Sequence, residues 1–142
     1  MIKEIHRIYI IDSKAKPIYI RENYVQGSGS VDHALMSSFI SALETFVREI
    51  ENQNTEAINL HNEKIFISKD QLTTFLFILC CDPNTKPKKM FKILNDIKNL
   101  FINKFTGHFM DSIEEKKKIM NSFLESLDEI LEPSSKHFLD NL

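Results

Sequence analysis

Residues 5–12 read IHRIYIID and residues 73–81 read TTFLFILCC, and both stretches are apolar at consecutive positions. Neighbouring side chains of a β-strand point to opposite faces of the sheet, so a strand that is apolar on both faces needs cover on both. These two stretches therefore predict the central strands of one β-sheet. The remainder of the chain must supply the edges and the helical cover.

Shorter strand-like segments lie beside these two stretches. Residues 17–20 (PIYI) follow a turn, and Pro17, which has no N–H, suits the start of an edge strand. Residues 57–60 (AINL) and 64–67 (KIFI) flank a polar turn and predict a hairpin. The first strand of that hairpin is short and has polar flanks, which favours a second sheet edge.

Three stretches carry apolar residues at helical spacing, namely residues 32–50, 88–105 and 112–131. Asp32 is a good N-cap for the first helix, and Gly107 is placed to end the second. The second helix is apolar over more than half of its circumference. It is therefore predicted to contact both the sheet and the third helix.

The elements follow the order strand–strand–helix–strand–strand–strand–helix–helix. In 142 residues this order predicts a single domain over residues 1–132 and a C-terminal tail over residues 133–142. The tail keeps Phe138, Leu139 and Leu142. It either packs back on the domain or docks on a partner, and the sequence leaves both alternatives open.

Composition excludes several classes of function. Eighteen basic and twenty acidic residues give a net charge of −2, so the chain has no basic excess for nucleic-acid binding. No apolar run approaches the ~20 residues of a membrane span, and the first residues, MIKE, have no signal-peptide core. Cys80 and Cys81 are expected to be reduced and buried, which suits a cytoplasmic protein.

No pattern of catalytic or metal-binding residues is present. The five histidines show no paired ligand spacing, and no serine lies in a nucleophile elbow. The GSGS tract at residues 27–30 lacks the Lys-Ser/Thr of a P-loop and is predicted to be a linker. We therefore expect no enzyme activity, no metal and no cofactor.

Two surface patterns are candidates for binding. One side of the first predicted helix carries small residues that would let another backbone come close, although an ordinary exposed face is the alternative: Ala34, Ser38, Ser41 and Thr45. The start of the second helix carries a lysine cluster, where the helix dipole disfavours cations: Lys86, Lys88, Lys89 and Lys92. This cluster predicts either solvated charge or contact with anionic lipid or an acidic partner.

In these elements the chain resembles the longin domain. The resemblance rests on IYIID at residues 8–12, a turn, KPIYI at residues 16–20, and a helix containing FISALETF at residues 39–46. It covers residues 5–131. It implies an α+β fold with a five-stranded antiparallel sheet of order 2-1-5-4-3, one helix on one face and two on the other. The related roadblock fold has a helix before its first strand, which this sequence lacks.

The longin family includes domains of longin-type SNAREs, clathrin-adaptor small chains, and subunits of TRAPP and of Rab exchange factors. No SNARE heptads and no tandem copy are found here. The Ile-, Lys- and Asn-rich usage suits an archaeal longin-like protein. The resemblance implies a non-enzymatic interaction module for vesicle trafficking or small-GTPase regulation. It would work as a homo- or heterodimer with a longin- or roadblock-type subunit, or with a small GTPase.

The implied strand order leaves a free edge that another chain's strand could extend. The predicted partner-binding set therefore joins the small-residue helix side to this edge: Glu56, Ala57, Ile58, Asn59, Leu60 and His61. Two alternatives remain. A PAS-like small-molecule sensor would need a cavity between helix and sheet, which the large inward Phe and Ile residues argue against. A peripheral membrane adaptor would use the lysine cluster.

Overall fold

The computed structural model describes residues 2–14, 16–22, 55–59 and 63–132 of the chain. These residues form a five-stranded antiparallel sheet of order β2-β1-β5-β4-β3 and two helices, which confirms the predicted α+β class and strand order. The helix predicted over residues 32–50 lies outside the described residues. The elements are β1 Ile5–Ile11, β2 Pro17–Glu22, β3 Thr55–Asn59, β4 Lys64–Lys69, β5 Leu76–Cys81, α1 Pro87–Phe105 and α2 Ile113–Leu131.

Strand β5 begins three residues later than its apolar run suggests. The Asp70 carboxylate accepts hydrogen bonds from the Thr73 N–H at 2.9 Å and the Thr73 hydroxyl at 2.8 Å, which closes a turn. Thr74 follows in the left-handed region at φ 61°. This local hydrogen bonding competes with strand pairing, so the ladder starts only at Leu76.

The start of α2 and the end of α1 coincide with residues that favour helix boundaries. Ser112 caps α2, because its side-chain oxygen accepts a hydrogen bond from the Glu115 N–H at 3.3 Å. Gly107 follows the C-cap of α1 at φ +83°, a conformation that glycine adopts without steric cost. Its position confirms the predicted helix stop.

Both helices pack on one side of the sheet, here called the first face. Its strand residues include Ile8, Ile10, Phe66, Phe77 and Leu79, and all are buried. The helices add an equally buried apolar set: Met90, Leu94, Ile97, Phe101, Phe105, Phe123, Leu127 and Leu131. This two-layer contact holds the largest part of the described core.

The opposite side of the sheet, the second face, is also apolar. Strand residues alternate with those of the first face and are buried as well: Tyr9, Ile11, Ile65, Ile67, Leu76, Ile78 and Cys80. Strands β1 and β5 are therefore apolar on both faces, as predicted for central strands. Among the described elements, both helices lie on the first face.

A bulge in β1 sets which side chains reach each face of the sheet. Ile5 pairs with Cys81 and Arg7 pairs with Cys80, so His6 is the extra residue between them. The bulge places Ile5 on the first face, together with Ile8 and Ile10. Arg7 lies two residues before Tyr9 and therefore on the same face as Tyr9, whose hydroxyl accepts a hydrogen bond from the guanidinium at 3.1 Å. A polar residue is thereby placed at the margin of an apolar face.

Candidate functional site

Strand β3 is the feature of the fold most suited to binding another chain. It pairs with β4 through five residue pairs, from Thr55–Ser68 to Asn59–Lys64. Within the described ranges, no strand pairs with its other side. Ala57 and Ile58 are half-buried and Asn59 is exposed. The N–H and C=O groups on the outer side of β3 can form backbone hydrogen bonds with a strand of another chain.

The other outer strand, β2, carries protection that β3 lacks. Pro17 at its start removes one N–H, and the β1–β2 register shifts between Ile10 and Ile11 beside it. Arg21 of β2 also donates a hydrogen bond to the Asp128 carboxylate of α2 at 2.6 Å. The TEAIN sequence of β3 contains neither proline nor lysine, and its ladder with β4 is regular. Of the two outer strands, β3 is the better template for strand addition.

Helix α1 packs on the first face over β4 and β5, so it lies one strand away from β3. Phe91 of α1 lies over Phe66 of β4, and Phe66 pairs with Ala57 of β3. Two helical turns further on, the Lys98 ammonium donates a hydrogen bond to the Ser68 hydroxyl at 3.2 Å. Lys88 lies three residues before Phe91 and therefore on the same side of the helix.

Cations accumulate around this part of the first face. The Lys64 ammonium lies 5.8 Å from the centre of the Phe66 ring, a cation–π contact. Lys98 and Lys88 add two further positive charges along the neighbouring side of α1. A strand added to β3 would thus meet a positive flank, which favours an acidic partner segment.

The predicted lysine cluster is exposed at the amino end of α1. Lys86 occupies the N-cap position without a side-chain capping bond, and the first turn contains no acidic residue. Lys89 lies 3.7 Å from the Glu4 carboxylate, a loose surface pair. Within the described part of the chain, Lys86, Lys88 and Lys92 form no ion pair. The cluster is therefore available to an anionic surface.

A polar cluster lies near the same end of the sheet and was not foreseen from the sequence. His6 lies between two carboxylates, 3.2 Å from Glu63 and 2.5 Å from Asp82. Glu63 also accepts a hydrogen bond from the Arg7 guanidinium. The four residues come from β1, the residue before β4 and the residue after β5. Their separation in sequence leaves no local signal by which to find them.

Buried ionisable groups of the sheet are held neutral. Burial raises the pKa of the Tyr9 hydroxyl to about 12, against the opposing effect of the Arg7 guanidinium. Burial likewise raises the pKa of the Cys81 thiol to about 12 and that of Cys80 well above its ordinary value. Both cysteines are buried and free of disulfide bonds, as the sequence predicts. Thiols in this state are poor nucleophiles.

The predicted site residues are only partly within the described chain. Ala57, Ile58 and Asn59 lie on β3, and the backbone of Glu56 belongs to the same strand. Leu60 and His61 lie outside the described residues, as do all four members of the small-residue helix side: Ala34, Ser38, Ser41 and Thr45. The predicted combination of that helix side with the β3 edge thus stays a prediction.

No group of three or more potential metal ligands is found among the described residues. Of the two described helices, neither is long and apolar enough to cross a membrane.

Comparisons with known proteins give structural similarity alone. No protein-family model matches the sequence, and no curated protein matches it. The gliding protein mglB from Thermus thermophilus is 13% identical, with 65% of this chain and 70% of that chain covered and a TM-score of 0.42. An MglB structure with a tetrameric arrangement is 12% identical, with 91% and 79% covered and a TM-score of 0.43. The fold assignment rests on the strand order of this chain.

Proposed function

We propose that this chain is a non-enzymatic protein–protein interaction module that works as a homo- or heterodimer in small-GTPase regulation or vesicle trafficking. The observation that carries the proposal is the β3 edge, which has no strand partner within the described residues and none of the protection seen on β2. The longin-like sheet order supports the class of partner by analogy of fold. That partner is a longin- or roadblock-type subunit or a small GTPase.

Strand addition supplies both affinity and selectivity at such an edge. Each new backbone hydrogen bond adds a net ~0.5–1.5 kcal/mol, and alternate side chains meet the two faces of the sheet. Lys64 and Lys88 add positive charge on the first face, so an acidic strand is favoured over a basic one. The residues Glu56 to His61 and the small-residue helix side remain the proposed contact set.

A pair of proline variants tests the proposal. In an antiparallel ladder, consecutive residues direct their N–H groups alternately to the two sides of a strand. Of Ala57→Pro and Ile58→Pro, one therefore removes a bond to β4, and the other removes an outward N–H while leaving the β4 ladder intact. The variant that keeps its melting temperature is the informative one, and size-exclusion chromatography with light scattering compares its association with that of wild type.

We expect the informative variant to shift the dimer, or the complex with an isolated partner, on the order of tenfold toward dissociation. The matched control is Lys117→Glu on the exposed surface of α2, which should leave association unchanged. If wild type is monomeric and forms no complex with a purified small GTPase or longin-type chain from the same organism, the proposal fails. An unchanged association constant in the informative variant also contradicts it.

A second candidate is peripheral contact of a cytoplasmic protein with an anionic membrane. It is favoured by the lysine cluster, of which three members have no ion pair within the described residues. Each lysine near an anionic surface contributes about 1 kcal/mol, so four together would give measurable but reversible binding. Co-sedimentation with vesicles of phosphatidylcholine and phosphatidylserine tests it, and equal binding by the Lys88→Glu/Lys92→Glu variant would refute it.

A further inference from the structure

A cavity opens at the end of the molecule opposite the lysine cluster. Its volume is about 670 Å³, within the ~300–1,000 Å³ typical of small-molecule sites. It lies between the β1–β2 turn, the residues that lead into β5, and the segment joining α1 to α2. Because α1 is about 28 Å long, the cavity and the lysine cluster are separate features.

The inner wall of the cavity is aromatic and rigid. Phe101 and Phe105 stack with ring centres 4.5 Å apart, and Phe75 meets Phe109 edge-on at 5.6 Å. Phe101 and Phe105 are buried in the core, whereas Phe75 and Phe109 are only half-buried. The rings thus hold one another in place and still present apolar surface to the cavity.

Two polar residues that line the cavity, Asp12 and Thr73, form hydrogen bonds within the protein. The Asp12 carboxylate accepts hydrogen bonds from the N–H groups of Lys14 and Lys16, each at 2.9 Å. The Thr73 hydroxyl donates to Asp70 and accepts from the Phe75 N–H. The four phenylalanines of the inner wall favour a hydrocarbon group in the inner part of a ligand.

Two of the lining residues are lysines. Lys14, in the β1–β2 turn, and Lys116, in the first turn of α2, both line the cavity. Within the described chain, neither ammonium group forms an ion pair or a hydrogen bond. Asp12 is the acidic lining residue, and its charge is shared between two backbone N–H groups. The charge available to a ligand is therefore positive.

Exposed apolar side chains lie in or next to the segments that line the cavity. Met110 lines the cavity and is 97% exposed, and Leu72, next to the lining residue Thr73, is 93% exposed. Ile113, at the start of α2, is 74% exposed. These are the large exposed apolar residues of the described chain, and all three lie on the two segments beside the cavity. An apolar ligand would cover surface that otherwise faces water.

We propose that this cavity binds an amphipathic anion, namely an acyl chain with a carboxylate or phosphate head group. The chain lies against Phe75, Phe105 and Phe109, and the head group is held by Lys14 and Lys116. The ligand is either a free fatty-acid anion or a lipid presented by a membrane. Both sources share this chemistry, and the site is independent of the β3 edge.

Calorimetric titration of the full chain with alkyl carboxylates of increasing length tests the apolar part. Affinity should rise about fourfold for each methylene that enters the cavity and then level off when it is full. The matched control is an alkyltrimethylammonium ion of the same length, which should bind at least tenfold more weakly. Equal or tighter binding of the cation, or no binding of any carboxylate, overturns the proposal.

The double variant Lys14→Glu/Lys116→Glu tests the head-group part. It should lose on the order of tenfold or more in carboxylate affinity, whereas Lys117→Glu, one residue further on α2, should lose none. Circular dichroism confirms that each variant is folded. The series of carboxylates of increasing length uses wild type alone, so it tests the site even if the double variant does not fold. Equal affinity losses in the double variant and in Lys117→Glu would overturn the proposal.

The same variants separate the two sources of ligand. If vesicles of phosphatidylcholine and phosphatidylserine bind wild type, fail to bind the double variant and are displaced by free carboxylate, the ligand is a membrane lipid. If the carboxylate binds and the vesicles do not, the ligand is a free fatty-acid anion. Either result supports the site. The proposal is contradicted if no carboxylate binds and vesicle binding is the same for the double variant and for wild type with free carboxylate added.

Discussion

The ring of Phe91 in α1 meets the ring of Phe66 in β4 edge-on, with centres 5.1 Å apart and planes at 87°. Phe66 pairs with Ala57, so this contact fixes α1 one strand away from the β3 edge. The helix thus supports the edge from one side and places Lys88 and Lys98 beside it. The packing of α1 and its lysines thus lie next to a strand that has no second strand partner within the described residues.

The core between the two helices and β2 should depend on Phe123. The centre of this ring lies 6.1 Å from the ring centre of Tyr19 in β2 and 5.3 Å from that of Phe101 in α1, and Phe123 is fully buried. We expect Phe123→Ala to lower the free energy of unfolding by about 3–5 kcal/mol, since it leaves a cavity. Urea unfolding measures it. Phe91→Ala, at a half-buried position, should cost about 2 kcal/mol, and equal losses would contradict this account of the core.

Stability should fall at alkaline pH because of buried neutral groups. Burial raises the pKa of Cys81 from 9.0 and that of Tyr9 from 10.0, each to about 12 in the folded chain. The unfolded chain therefore loses these protons first, and the stabilisation is complete below pH 9 and is lost as the pH rises toward 12. Each group contributes a slope of up to about 1.4 kcal/mol per pH unit.

Urea unfolding at about pH 8 and about pH 10.5 measures this slope. Tyr9→Phe and Cys81→Ala should each flatten it, because each removes one titrating group. Asp96→Asn, on the exposed surface of α1, serves as a control that should leave the slope unchanged. A wild-type stability that stays constant over this range would contradict the prediction.

The polar cluster around Glu63 should contribute more than surface pairs do. Glu63 binds both Arg7 and His6, and its side chain is only 22% exposed. We expect Glu63→Gln to lower the free energy of unfolding by about 1–3 kcal/mol, because the Arg7 guanidinium and the His6 ring both lose the negative charge of Glu63. Glu4→Gln, which removes the loose pair with Lys89, should cost below about 0.5 kcal/mol. Similar losses in both variants would show that the cluster is only surface charge.

The lysine cluster should oppose helix stability and favour anion binding. Lys88 lies in the first turn of α1, where the helix dipole favours negative charge. Lys88→Glu should therefore stabilise the fold by about 0.3–1 kcal/mol and weaken binding to anionic vesicles. Lys104→Glu, in the last turn, should destabilise it for the same reason and remove the bond to Ser122. Thermal melts and vesicle sedimentation on the same samples measure both effects, and destabilisation by Lys88→Glu would contradict the prediction.

Much of the sheet follows from the hydrophobic pattern. Residues 8–11 and 76–81 are apolar without interruption, and the structure buries them on both faces of central strands. Pro17 and Gly107 act through backbone geometry that their covalent structure imposes, so their positions at a strand start and a helix end were predictable.

The remaining features depend on hydrogen bonds and packing that the hydrophobic period does not report. The Asp70 side chain delays β5, and the bulge at His6 places Ile5 on the first face with Ile8. The cavity likewise draws Lys14, Phe75 and Lys116 from three separate segments. Periodicity predicts which residues are buried, but it does not show where the packed layers leave a gap.

Amide hydrogen exchange on β3, at low and high protein concentration or with a partner added, tests whether this edge binds another chain. Of Ala57 and Ile58, the residue whose N–H faces away from β4 should exchange freely in the dilute chain and become protected on association. The N–H that faces β4 should be protected under both conditions. Protection of both amides in the dilute chain would mean that the edge is already paired, and free exchange of the outward amide in the complex would mean that partners bind elsewhere.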